Sequence, residues 1–194
     1  LAKVYAYEAP QPSDFWRKRM IIVADDKFSE GEASFGGLQF CCRLSETGFE
    51  TGQENVAQII ENSLPAGYDV VRFFLRDYTE AFYPACDQDH QNACALRRAS
   101  IAYTRANITE RLMSELNQGA TWVAIQSHMN RFVVTHERLL SGEPAAILDG
   151  ATGRDYLRVE NRFKPWLVFG MGCHFSEYAI NREMAPERLI YNAP

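Results

Sequence analysis

Apolar and polar positions along the chain fall into two rhythms. Four short runs are continuously apolar: Met20 to Ala24, Val70 to Leu75, Thr121 to Ile125 and Trp166 to Met171. A run that does not alternate suits a strand buried on both faces of a sheet. Between the runs the spacing of apolar residues changes to three and four. Glu54 to Leu64 puts Val56, Ile59, Ile60 and Leu64 on one helical face, and Pro65 and Gly67 stop it. Ile108 to Leu116 repeats the pattern with Ile108, Leu112, Met113 and Leu116. Thr109 is a candidate to cap its start, and Asn117 to Gly119 end it. Glu177 to Met184 predicts a further helix, and Leu1 to Tyr7 reads as a helix already in progress. Strands alternating with helices predict a layered α/β domain, with a mainly parallel central sheet flanked by helices. Right-handed crossovers bring the C-terminal ends of such strands to one edge, where open α/β sheets bind ligands.

Two stretches break the rhythm. Lys27 to Gln53, rich in Gly, Ser and Glu, predicts a long loop over that edge. Tyr78 to Arg105 carries the basic pair Arg97 and Arg98 and two cysteines. Those cysteines, Cys86 and Cys94, bracket the polar stretch Asp87 to Ala93. This suggests a local disulfide and an oxidising compartment, with two free thiols as the alternative. Cys41 and Cys42 lie in the apolar run Leu38 to Leu44 and read as packing residues. No repeat or linker divides the chain.

Composition narrows the classes of function. A chain of 194 residues suits one domain, and 46% hydrophobic with 23% charged residues excludes a disordered protein. A net charge of −5 gives no basic surface for a phosphate backbone, so nucleic-acid binding is not expected. No apolar run approaches the roughly 20 residues that span a bilayer. Leu1 opens the chain in mid-pattern and Leu189 to Pro194 read as the approach to another element, so a piece of a longer polypeptide, or one product of a cleaved one, is expected.

The strand ends carry the chemistry. The first run is followed by Asp25 and Asp26, the second by Arg76 and Asp77, the third by Ser127 and His128, and the fourth by Gly172, Cys173 and His174. An acid, a histidine and a cysteine therefore meet at one edge of one sheet, as a thiol nucleophile requires. The reactive thiolate needs a basic neighbour, and a carboxylate can hold the imidazole in one tautomer. Gly170 and Gly172 allow a sharp turn that exposes the sulfur, and the backbone N–H groups at Met129, Gly172 and Cys173 are candidate oxyanion donors. His136, in Val134-Thr135-His136-Glu137, is the second choice for the base. His174 would point away from Cys173 in an extended chain. A zinc site from Cys173, His174, His128 and His136 lacks any CxxC, HExxH or HxxxH spacing, so no metal ligand is assigned.

These residues, taken in order, resemble the catalytic subdomain of gingipain-type cysteine peptidases, which have a caspase-like fold. The resemblance runs through Tyr7-Glu8, Trp16-Arg17-Lys18-Arg19 and the first apolar run to Asp25. It continues through Gln53-Glu54-Asn55-Val56 to Leu64, Gly67-Tyr68-Asp69-Val70, Ile108 to Gly119, Ser127-His128-Met129 and Phe169-Gly170-Met171-Gly172-Cys173. It covers residues 1–194 as one caspase-like subdomain, without the preceding subdomain and the final strands of the family.

The resemblance implies Cys173 as nucleophile, His128 as general base and acid, and Asp25 as orienting acid. It implies a protein or peptide substrate, and contacts with other parts of the same polypeptide. It also implies a bacterial protein in the periplasm, on the cell surface or outside the cell. The chemistry requires no cofactor. Calcium occurs in the family, and Asp25, Asp26, Glu30 and Glu32 offer oxygens for it. The family also includes a sortase-like transpeptidase of a bacterial secretion system, which passes the acyl group to an amine. A catalytically silent scaffold or binding domain in a larger surface protein is the reading from another class.

The chain departs from the pattern in that Ser127 and Met129 replace the glycines flanking the family's histidine, and a Met129 side chain is expected to crowd the site. His128 and Cys173 are also 45 positions apart, and the added segment around Gly142 to Arg158 is expected to be a surface loop.

Overall fold

Arg19–Ala24 (β1) is the strand around which the sheet is built. The computed structural model describes residues 5, 8–9, 14–26, 28–29, 34–35, 38–39, 43–44, 47–79, 99, 101–129, 133–141, 155–160, 164 and 166–172. In it β1 pairs in parallel with Asp69–Phe74 (β2) on one side and Trp122–Gln126 (β3) on the other. Leu167–Met171 (β4) pairs in parallel with β3, giving the order β4-β3-β1-β2. All four strands fall on the continuously apolar runs, with ends within one residue of them.

Two helices carry the chain back over the faces of the sheet. Thr47–Ser63 (α1) lies between β1 and β2 in sequence, and Glu110–Gln118 (α2) between β2 and β3. Alternation along β1 separates two cores. Met20, Ile22 and Ala24 pack with Ala57 of α1, Phe74 and Ala124. Ile21 and Val23 pack with Leu112, Met113 and Leu116 of α2 and with Phe73. The helices thus cover opposite faces, and all six residues of β1 are buried. Each large apolar side chain removed from water in this way contributes about 1.5–3 kcal/mol.

The lower end of the sheet is tied by charge. Arg19 is buried, and its guanidinium donates to Asp69 Oδ2 at 3.2 Å, to the Glu115 carboxylate, and to the carbonyls of Glu115 at 3.1 Å and Gly119 at 3.3 Å. α2 ends where predicted. Gly119 takes φ 94° and its N–H closes on the carbonyls of Glu115 and Leu116.

Four expectations change. α1 begins at Thr47, so the end of the predicted Lys27 to Gln53 loop is helical. Gly48 and Gly52 weaken that helix by about 1 kcal/mol each, and the buried Gln53 and Ala57, one turn apart, show the packing that overrides them. Within the same stretch, residues 28–29 pair with 43–44 and residues 34–35 with 38–39, both antiparallel. Thr109 does not cap α2, because a π-helical turn, Thr104–Thr109, runs straight into it; the Thr109 hydroxyl donates instead to the Leu139 carbonyl at 2.7 Å. The segment before β4 is not all surface loop, since Asp155–Arg158 forms a 3-10 turn and Asp155 is buried. The predicted helices over Leu1 to Tyr7 and Glu177 to Met184 lie outside the described residues, apart from helical Tyr5.

Candidate active site

The strand order creates the site before any side chain is considered. From β1 the chain steps to β2 on one side, then crosses to β3 and β4 on the other. The order reverses between β1 and β3, and open α/β sheets hold ligands in the crevice outside the strand ends at such a point. The ends are flush, since Ala24 is in register with both Phe74 and Gln126, and Met171 with Gln126. The ladder continues one residue further. The N–H of Asp25 donates to the Gln126 carbonyl and that of Ser127 to the Met171 carbonyl, each at 3.1 Å.

Asp25 leaves β1 at the reversal point and is buried. Its Oδ2 accepts the backbone N–H of His128 at 2.9 Å and contacts the Ser127 hydroxyl at 3.2 Å; its Oδ1 accepts the N–H of Asp26 at 3.1 Å. The carboxylate therefore holds the backbone of the segment that carries the imidazole. Burial, and secondarily the charge of Asp26, push the Asp25 carboxyl well above its ordinary value, against the three hydrogen bonds that favour the ionised form.

The His128 segment is closed by a hairpin in which Val133–Val134 pairs antiparallel with Leu140–Ser141. The N–H of Thr135 donates to the His128 carbonyl at 2.8 Å and to Ser127 Oγ at 3.1 Å, and Met129 bridges to Val134. The Ser127 hydroxyl also lies 2.6 Å from the His128 carbonyl. The hairpin stacks the ring of His136 on that of His128, with centroids 4.7 Å apart and 9° between the planes. It also buries Glu137, which brings a carboxylate oxygen within 4.8 Å of those of Asp25 and Asp26. Among the described residues these three carboxylates are the group close enough to share a cation, and such hard oxygen donors suit Ca²⁺ or Mg²⁺.

The fourth strand arrives against the same segment. A Cβ on Gly172 would lie 2.4 Å from the Ser127 carbonyl oxygen and 2.8 Å from Met129 Cγ. The residue before Cys173 therefore approaches the residues on either side of His128. Met129 does not crowd the crevice as expected, because its side chain is 6% exposed and packs in the core under Gly172.

The sequence reading placed Asp25, His128, Met129 and Gly172 at one sheet edge, and there they meet. Cys173, His174, Cys86, Cys94, Cys41, Cys42, Glu30 and Glu32 lie outside the described residues. The reading missed Glu137 as a site carboxylate and Ser127 as a hydrogen-bonding hub. The signal for Glu137 was an acid beside His136 between apolar pairs, Val133-Val134 and Leu139-Leu140.

The family model described as Peptidase family C25 matches residues 1–194. No curated protein and no solved structure matches the chain.

Proposed function

On the premise that the chain belongs to peptidase family C25, we propose that it is a gingipain-type cysteine endopeptidase that cleaves protein substrates through a thioester on Cys173. The observation that carries this reading is the meeting of Asp25, His128 and Gly172 at the reversal point of the sheet. His128 takes the proton of the Cys173 thiol, and the thiolate adds to the scissile carbonyl. As the tetrahedral adduct collapses, His128 gives that proton to the leaving amine. His128 then deprotonates a water, which attacks the thioester and releases the acid and the thiol. Within the His128 segment, the N–H groups of Ser127 and His128 are already taken by the Met171 carbonyl and Asp25. This leaves the N–H of Met129 to stabilise the oxyanion. Asp25 acts by holding the His128 backbone. We place this chemistry in an oxidising bacterial compartment, where Cys86 and Cys94 form their disulfide.

Iodoacetamide labelling at neutral pH tests the dyad. Cys173 is expected to label faster than free cysteine and to lose that advantage in His128→Ala, with Cys173→Ala locating the label by mass. Labelling no faster than free cysteine, or unaffected by His128→Ala, overturns the assignment.

A further inference from the structure

The hairpin 133–141 is held far more firmly than a surface turn requires. Two of its non-glycine residues, Thr135 at φ 66° and Arg138 at φ 59°, take the left-handed conformation. A β-branched residue stays there only where its surroundings impose it. Here they do so from several elements. The N–H of Leu139 donates to Thr135 Oγ1 at 3.2 Å, and the Thr109 hydroxyl donates to the Leu139 carbonyl at 2.7 Å. Arg105 Nη1 donates to the Arg138 carbonyl at 3.3 Å, and the N–H of Ser141 donates to the buried Asp155 Oδ2 at 2.7 Å. Arg105 in turn grips Asp155 through both guanidinium nitrogens, at 2.5 and 2.9 Å. The result of this bracing is specific: it lays the ring of His136 flat on the ring of His128.

We propose that His136 is a positioning residue for His128. A flat neighbour 4.7 Å away opposes the side-chain rotation that would turn the His128 ring out of its plane. The left-handed turn and its bonds to Thr109, Arg105 and Asp155 then serve to fix His136. This rests on the dyad reading above. It differs from His136 acting as a base, because it requires only a flat ring at position 136.

The test compares His136→Phe, His136→Ala and His128→Ala in the full chain. One readout is the rate of Cys173 alkylation by iodoacetamide. The other is the imidazole Hε1 NMR signal of His128, assigned by its loss in His128→Ala among the 4 histidines of the chain. The His128 signal is expected to keep an upfield ring-current shift in His136→Phe and lose it in His136→Ala. Because misplacing a reacting group by an ångström costs up to about 100-fold, alkylation should fall about 10-fold or more in His136→Ala and stay within about 3-fold in His136→Phe. A wild-type rate in His136→Ala overturns the proposal. So does a His136→Phe variant as slow as His128→Ala, which would make His136 a proton carrier. An unchanged rate in His128→Ala overturns the dyad and the proposal with it, and the NMR shift then tells an idle stack from rings that do not meet.

Discussion

Replacing Gly172 by alanine probes how closely the end of β4 is fitted to the His128 segment. The added Cβ would lie 2.4 Å from the Ser127 carbonyl oxygen, 2.8 Å from Met129 Cγ and 3.0 Å from Met129 Cε. A carbon and an oxygen tolerate about 3.3 Å, so one backbone must move by roughly an ångström. Neither moves freely. The Ser127 N–H is bonded to the Met171 carbonyl at 3.1 Å, and Met129 is buried in the core. Overpacking of this kind costs about 1–3 kcal/mol, which in a chain of this size lowers Tm by about 2–12 °C. The same displacement, one residue before the thiol, should slow Cys173 alkylation by up to about 100-fold. Thermal melting and iodoacetamide labelling read the two effects separately. Adding Met129→Ala removes the side-chain contacts but leaves the carbonyl contact, so it should restore only part of each loss. A Gly172→Ala protein that melts within about 1 °C of wild type and labels at the wild-type rate would refute the reasoning.

Three further outcomes are expected. Between its ordinary 3.8 and its raised folded value, Asp25 keeps a proton that the unfolded chain has released, so its stabilising contribution is full below 3.8 and is lost as pH rises through the folded value. The Tm of wild type relative to Asp25→Asn should therefore be most favourable near pH 4 and decline with rising pH, and calorimetry showing a difference that grows with pH contradicts this. Arg19→Met takes the cation from the half-buried Glu115 carboxylate and a donor from each of two carbonyls, and should cost about 3 kcal/mol in urea unfolding; a loss below about 1 kcal/mol makes the network incidental. Asp155→Ala removes the acceptor of Arg105 and of the Ser141 N–H, so the amides of Leu139 and Ser141 should exchange faster than those of β1, and unchanged protection would show that the hairpin does not depend on Asp155.

The sheet was legible because a central parallel strand leaves no solvent face: β1 is apolar at Met20 to Ala24 for the same reason that it is buried throughout. The site was legible wherever it hangs directly on a strand end, as Asp25, His128 and Gly172 do. What the pattern hid depends on partners distant in sequence. The hairpin turn Thr135–Arg138 has no Gly, Asn or Asp to announce left-handed backbone. It is imposed by Thr109, Arg105 and Asp155, so Glu137 gave no sign that it would be buried beside Asp25. The start of α1 was hidden for the same reason, since two glycines suggested a loop and only packing shows a helix.

Ser127 and Met129 bear on whether this site is degenerate. A chain drifting from catalysis would be expected to let such replacements loosen the loop around its histidine. Here both are built in. The Ser127 hydroxyl reaches Asp25 Oδ2, the His128 carbonyl and the Thr135 N–H, joining β1, β3 and the hairpin at one atom. A hydroxyl has a single hydrogen, which the His128 carbonyl at 2.6 Å and Asp25 Oδ2 at 3.2 Å share. Met129 spends its side chain on the core and supports the glycine before Cys173 from beneath. The two side chains thus add to the bond between the His128 N–H and Asp25 by tying the segment to the hairpin and to the end of β4. Such coupling is what the dyad proposed above would need in order to be preorganised.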